Sequence, residues 1–410
     1  MLHVDRGRFG ADFEELAAIG RTPAGGVHRP ALEDAHLEAR AWFLDRGRAA
    51  GLETRVDAAG NHSALLPARA AGSRTLLLGS HLDSVADGGR YDGALGVLAA
   101  LEVLRTVQEA KLDLPVALEA IDFTDEEGSL VGLLGSRALA GTLTPEMLAS
   151  PRGGRAAFVA GLERAGLAES RLASARRDPA TLAGYLELHI EQGPVLERGG
   201  AEIGVVTAIA GSRSFRLSFT GEAAHAGTTP MDARRDAGLA AARFAAAAHD
   251  LVVAEHPGCV ATVGRIDLEP GFFNVVPGRA RVALEFRAAT AVELDPLEAE
   301  LLVLARAQGL PVEVEAVGSW EPCALDASVR AAITDAAEAL SLRAAELPSW
   351  AGHDAEALAA ITRSGMIFVP SRGGVSHSPS EHTDWDDCVR GADVLLGAAL
   401  RLAAGAPPGL

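Results

Sequence analysis

Lysine is nearly missing from this sequence. Lys111 is the only one in 410 residues, so almost all of the 37 basic side chains are arginines, a bias that reads as coding composition rather than function. Basic charge is also short overall, because 55 acidic residues give a formal net charge of -18. That argues against a general nucleic-acid or anionic-membrane binder, which would carry a basic footprint. An anionic small substrate stays compatible, since a site can be locally positive. Cys259, Cys323 and Cys388 are odd in number and far apart, so neither a disulfide framework nor a Cys-type zinc site can be read from them. No run of about 20 apolar residues stands out, and the late stretch ADVLLGAALRLAAGA is short and broken by Arg401. The N-terminus, MLHVDRGRFGADFEEL, shows no apolar signal-like stretch. A soluble cytoplasmic protein with no nucleic-acid and no membrane partner is therefore expected. Neither G-x-x-x-x-G-K-S/T nor G-x-S-x-G occurs, so phosphoryl transfer and serine hydrolysis lack their usual motifs.

What is present is globular. Hydrophobic residues make up 48% and charged residues 22%, enough apolar surface for sizeable cores in two or three domains. Helical periodicity over 31–50 stops at Gly51, and VDAAGNHSALL suggests a hairpin around Gly60-Asn61. TLLLGS (75–80), VALEAIDF (116–123) and AGYLELHI (183–190) look like buried strands. Between them, a long apolar helix opens at Asp92-Gly93, with Asp92 suited to its N-cap, and another helix covers 133–141. This alternation predicts an α/β sheet with helices on both faces. The character changes near Ala210-Gly211. Strand 213–220, helix 232–250, strands 259–267 and 280–288, helix 293–308 and strand 311–316 follow in a β-α-β-β-α-β order. Helices at 327–341 and 354–362 and a strand at 365–369 then resume the α/β pattern. A discontinuous α/β catalytic domain (1–212 and 323–410) with an inserted α+β sandwich (213–322) is expected, and the Pro/Gly-rich tail 405–410 is expected to fray.

Four strand ends carry the chemistry. His81 and Asp83 follow the first buried strand, and Asp92 lies eleven residues past His81. Ligands gather at the carboxyl ends of strands in open α/β sheets. There His81 is a good imidazole ligand, Asp83 could fix its ring, and Asp92 could bridge two metals. Alone, each residue is more simply a helix cap or a core histidine. The second strand ends in DFTDEEGS, where Asp125, Glu126 and Glu127 are consecutive. Packed acids repel unless a cation or protons neutralise them. One could bind metal while its neighbour serves as a general base towards water. His189 in ELHIEQGPVLE, beside Glu187, Glu191 and Gln192, and His377 in GVSHSPSEHTDW complete the set. A metal-assisted hydrolase with His and carboxylate ligands follows.

The strings GSHLDSVADGGRYDG, FTDEEG, ELHIEQGPVLE, GEAAHAGTTPMDARRD, NVVPG, GHDAE and GMIFVPSRGGVSHSP resemble one family. It is the hydantoinase/carbamoylase branch of the aminoacylase and carboxypeptidase G type metallopeptidase superfamily. That branch holds N-carbamoyl-L-amino-acid hydrolases, β-ureidopropionases and allantoate amidohydrolases. The resemblance implies two divalent ions per subunit, of Zn, Mn, Co or Ni, since imidazole and carboxylate ligands do not choose among these. His81 and His189 would hold one, Glu127 and His377 the other, and Asp92 would bridge them. Glu126 would be the general base and Asp83 would orient His81. His225 would stabilise an oxyanion. Asn274 and Arg287 would hold a substrate carboxylate. Gln192, Gly374 and Ser376 would make further substrate contacts. The implied fold is a mixed, largely parallel sheet with a ferredoxin-like inserted domain that makes a homodimer. The implied substrate is a small carboxylate-bearing ureido compound, an N-carbamoyl-L-amino acid first, with allantoate or a β-ureido acid as alternatives. Typical members have a longer stretch, often with an Arg-Phe pair, where this chain has only SLVGLL after Gly128.

Overall fold

Continuous apolar runs build the middle of the sheet. Strands Ala117–Phe123, Thr75–His81, Leu182–Ile190 and Ser364–Val369 lie side by side in that order and run parallel in the computed structural model, which describes residues 2–70 and 72–405. Apart from Thr75 their residues are all buried, as strands covered on both faces must be. Antiparallel strands extend the sheet on either side. His62–Leu66 and Glu53–Val56 form the hairpin around Gly60-Asn61 on one flank, and Ile203–Ile209 adds the other. The tail beyond Gly405, expected to fray, lies outside the described residues.

The central helix, Ala94–Glu109, is buried from Ala94 to Val107 and ends just before the exposed Lys111. Helices Arg6–Ala18, Asp34–Ala49, Ala327–Ala339 and Trp385–Ala404 join it in one core with Leu76, Leu78, Leu186, Ile367 and Leu395. Burying each such side chain is worth about 1.5–3 kcal/mol.

Chain contacts divide the described residues into two units. The first comprises 2–207, 325–347 and 352–405, and the second 208–324 with 348–351. Ala210 N–H donates to the Ser349 carbonyl, which ties the short return segment into the second unit. That unit is a four-stranded antiparallel sheet in the order Val312–Trp320, Gly211–Thr220, Arg279–Ala288, Val260–Glu269. Helices Ala237–Glu255 and Ala291–Arg306 cover it through Phe244, Val252, Leu294, Leu297 and Leu301, packed with Phe215, Phe219 and Phe286. The two most regularly alternating strands, Gly211–Thr220 and Arg279–Ala288, are the inner pair. The edges are Val260–Glu269, with Val260, Ile266 and Leu268 exposed, and Val312–Trp320. The helix Ala237–Glu255 is long and apolar enough by composition to cross a membrane, though it is no unbroken apolar run. Arg243, His249 and Asp250 interrupt it and stay exposed while one face packs on the sheet.

Candidate metal centre

Each parallel strand delivers a polar group at its carboxyl end. His81 closes Thr75–His81, and Asp125 to Glu127 follow Ala117–Phe123. His189 is the penultimate residue of Leu182–Ile190, and His377 follows Ser364–Val369. They converge on Asp92. Its Oδ1 lies 3.1 Å from His189 Nε2 and 3.5 Å from His81 Nε2. Its Oδ2 lies 3.4 Å from His377 Nε2, which is 3.3 Å from Glu127 Oε2. Two candidate ligand groups, His81–Asp92–His189 and Asp92–Glu127–His377, share the Asp92 carboxylate, and Glu187, His189 and His353 form a third, overlapping cluster. Glu126 Oε2 stands 3.5 Å from His81 Nε2.

The N-cap role expected of Asp92 is not taken. The helix begins at Ala94 behind Gly93, which has φ 62° and no side-chain cap. Asp92 is freed to face the histidines, and only glycine fits behind it. A Cβ at residue 93 would lie 2.4 Å from the His81 ring. Asp83 also acts differently from expectation. Its backbone carbonyl, 3.0 Å from His81 Nδ1, orients that ring, while its carboxylate sits 3.8 Å away. The carboxylate instead accepts the N–H groups of Glu126 and Glu127, both at 3.2 Å. Asp125 is no ligand either. It takes the N–H groups of Leu130, Val131 and Gly132, folding the short SLVGLL loop around one buried carboxylate.

The donor chemistry fits cations. His81 and His189 each spend Nδ1 on a backbone carbonyl, of Asp83 and of Ile190. Nε2 of each is thereby aimed at Asp92, and something positive must stand between nitrogen and carboxylate. Burial pushes Glu126 well above the usual carboxylate range, with Asp354 and Glu127 adding repulsion against the pull of His81. Burial and then Asp92 push Glu127 up to about 7. Asp92 goes the other way: burial opposes its charge, but hydrogen bonds from His189, His377 and His81 hold it well below its ordinary value. His377 is raised to about 9, first by its hydrogen bond to Asp92 and against burial. Divalent ions held there would satisfy the same lone pairs.

Three of the positive-φ residues other than glycine fall here: Asp125 (56°), Gln192 (60°) and His377 (53°). Such backbone costs roughly 1–3 kcal/mol per residue and persists where the surroundings over-determine it. Gln192 Nε2 donates to Asp92 Oδ2 at 2.8 Å and reaches Ser376 Oγ at 3.2 Å, while its buried Oε1 has no hydrogen-bond partner. Gly374 also takes a positive φ of 68°, with its Cα against the Gly193–Pro194 backbone.

The second unit holds the other expected residues. His225 pairs with Val275 in a two-residue antiparallel bridge, and the Asn274 carbonyl accepts Ala226 N–H. Nδ1 of His225 accepts from Gly227 and Thr228, so the neutral ring carries its proton on Nε2 as an exposed donor. Arg287, expected to hold a substrate carboxylate, makes its hydrogen bonds within this unit. Nε and Nη2 donate to Glu285 Oε1 and Nη1 to the Trp350 carbonyl.

Several supporting residues went unassigned in the sequence. Glu187, beneath His189, accepts from Ser80 Oγ, Tyr185 OH and Ala355 N–H. The His353 ring stacks edge-on to His189 at 4.6 Å. Asp122, ion-paired with buried Arg40 at 2.9 Å, holds Leu82 N–H between His81 and Asp83. Each lies in or beside a motif already quoted, but nothing in the spacing separates a ligand from its support.

Comparison with known proteins places these motifs. The family model described as peptidase family M20/M25/M40 matches residues 77–401. The chain is 39% identical over 398 residues to the N-carbamoyl-L-amino acid amidohydrolase of Geobacillus stearothermophilus, covering 95% of this chain and 97% of that protein. It is 33% identical to the allantoate amidohydrolase of Bacillus subtilis, over 95% of this chain and 96% of that one. Among solved structures, a hydantoinase/carbamoylase family amidase from Burkholderia multivorans matches with a TM-score of 0.90 at 34% identity, covering 99% of this chain and 100% of that one. Motifs, coverage and fold agree, and the chain belongs to peptidase family M20/M25/M40, within its hydantoinase/carbamoylase branch.

Proposed function

We propose that this chain is an amidohydrolase that cleaves the terminal carbamoyl C–N bond of N-carbamoyl-L-amino acids, releasing amino acid, carbon dioxide and ammonia. The observation that carries the reading is the shared Asp92 carboxylate, with two histidines on one oxygen and His377, next to Glu127, on the other. His81, His189 and Asp92 would hold one divalent ion, and Asp92, Glu127 and His377 a second. Bound there, the ions would lower the pKa of an attacking water and polarise the ureido carbonyl. The side chain of Glu126, all but buried beside His81, is the general base that takes the water's proton and passes it to the leaving nitrogen. His225 donates from Nε2 to the developing oxyanion. Asn274 and Arg287 receive the substrate carboxylate, with Arg287 exchanging Glu285 for the substrate. Gln192, Gly374 and Ser376 make further substrate contacts, and Gln192 and Ser376 also steady Asp92.

The names of the two relatives support a ureido substrate, and allantoate is the second reading because one of them acts on it. A homodimer formed through the second unit is part of the proposal, supported by the exposed apolar residues of its edge strand. The test is a substrate panel on chelator-stripped protein reloaded with Mn, Co, Ni or Zn. Ammonia should appear from N-carbamoyl-L-amino acids and vanish after chelation. Faster release from allantoate or N-carbamoyl-β-alanine would reassign the substrate, and turnover of dipeptides alone would reject the reading.

A further inference from the structure

Glu381 lies four residues past His377 and is buried, yet it belongs to neither ligand group. Its Oε1 accepts the backbone N–H groups of Tyr91 at 2.9 Å and Asp92 at 3.1 Å. Its Oε2 accepts from Ser376 Oγ at 3.0 Å, and that hydroxyl also stands 3.0 Å from Asp92 Oδ2. Glu381 N–H closes the turn after His377 by donating to the Ser378 carbonyl at 3.0 Å. One carboxylate thus joins the loop that presents Asp92 to the loop that presents His377, and His377 holds a left-handed φ of 53° just before that turn. The chain makes room for it. A Cβ at Gly89 would come within 2.0 Å of the Glu381 carboxylate, so any other residue there would push the clamp aside.

We propose that Glu381 is a positioning residue for the metal centre, clamping the Asp92 backbone against the Ser376–His377 loop so that the second ligand group is assembled before an ion arrives. The proposal rests on the two-ion reading of the site. Removing the carboxylate frees two backbone N–H groups and Ser376, and lets Asp92 and His377 drift apart. Outer partners of ligands typically carry 10–100-fold in metal affinity, and a loss of that size is expected for Glu381→Ala. Glu381→Gln should stay much nearer wild type. Its amide oxygen can accept the same two N–H groups, and its NH2 can donate to Ser376.

The experiment titrates chelator-stripped protein with Mn or Zn against a chromophoric chelator, reading stoichiometry and both affinities, with the melting temperature of the ion-free protein alongside. Support is weaker binding of at least one ion in Glu381→Ala at unchanged ion-free melting temperature, rescued by Glu381→Gln. Wild-type affinities in a folded Glu381→Ala overturn the proposal, as does an equal loss in Glu381→Gln, which would make charge rather than geometry the cause. If Glu381→Ala does not fold, Gly89→Ala decides. It should likewise weaken binding of at least one ion, and wild-type affinity there overturns the clamp. A wild-type protein that takes up only one ion fails the two-ion reading itself, a result distinct from wild-type behaviour in the variants.

Discussion

Glu126 and Glu127 are neighbours in sequence with different proposed roles, and single substitutions separate them. Glu126→Gln removes a proton acceptor but no proposed ligand, so both ions should stay while turnover falls 10²–10⁴-fold. Elemental analysis alongside ammonia-release rates checks this, and near-normal turnover would remove Glu126 from the mechanism. A second residue acts on stability. His36 is buried, and its Nδ1 accepts Leu32 N–H at 2.9 Å, so the ring is neutral in the fold. Burial, then the charges of Arg40 and Arg29, hold it well below its ordinary value. The unfolded chain takes up the proton below about 6.5, while the folded one resists. The contribution is therefore present above that pH and lost as pH falls. Asparagine can keep the acceptor without the titration. Urea midpoints of wild type and His36→Asn should converge, then cross in the variant's favour, by up to about 1.4 kcal/mol per pH unit. Parallel pH profiles would refute the assignment.

At the scale of elements, the turn before the central helix is the most demanding piece. Gly93 combines φ 62° with contact against the His81 ring, so Gly93→Ala must move the ring or the helix start. We expect a loss of roughly 1–3 kcal/mol together with weaker binding of the ion between His81 and His189. Calorimetry and ion titration test it, and a variant that melts and binds like wild type would show the turn to be pliant. This turn also marks the boundary of what the sequence reveals. Strands such as TLLLGS and AGYLELHI were legible because burial on both faces demands unbroken apolar runs. Their carboxyl ends then pointed to His81, Glu127 and His189. Helix Arg6–Ala18 and strands Ile203–Ile209 and Ala344–Ser349 were not read, because their patterns are mixed and tertiary pairing decides them. The sequence did not show that the Asp83 backbone carbonyl, rather than its carboxylate, meets His81 Nδ1, nor that Asp92 leaves the helix uncapped. A backbone carbonyl and a carboxylate of one residue are equivalent in sequence and distinct only once the chain is folded.

At the scale of the whole molecule, the proposed homodimer carries its own test. His225, Asn274 and Arg287 belong to the second unit and the proposed ligands to the first. If His225 serves the partner's centre, co-expressing His225→Ala with Glu126→Ala should restore about a quarter of wild-type activity, since half the dimers are mixed and each has one whole site. Background activity from a proven mixed dimer would place both residues in one chain, and a monomer by light scattering would dismiss the dimer. The central helix has one further consequence. It begins at the metal centre and ends just before Lys111, roughly 24 Å away along its 16 residues. Lys111 bears the only side-chain amine, so an amine-reactive resin or dye would couple on that far end or at an α-amino group. Held through Lys111, the helix would point its Asp92 end away from the support.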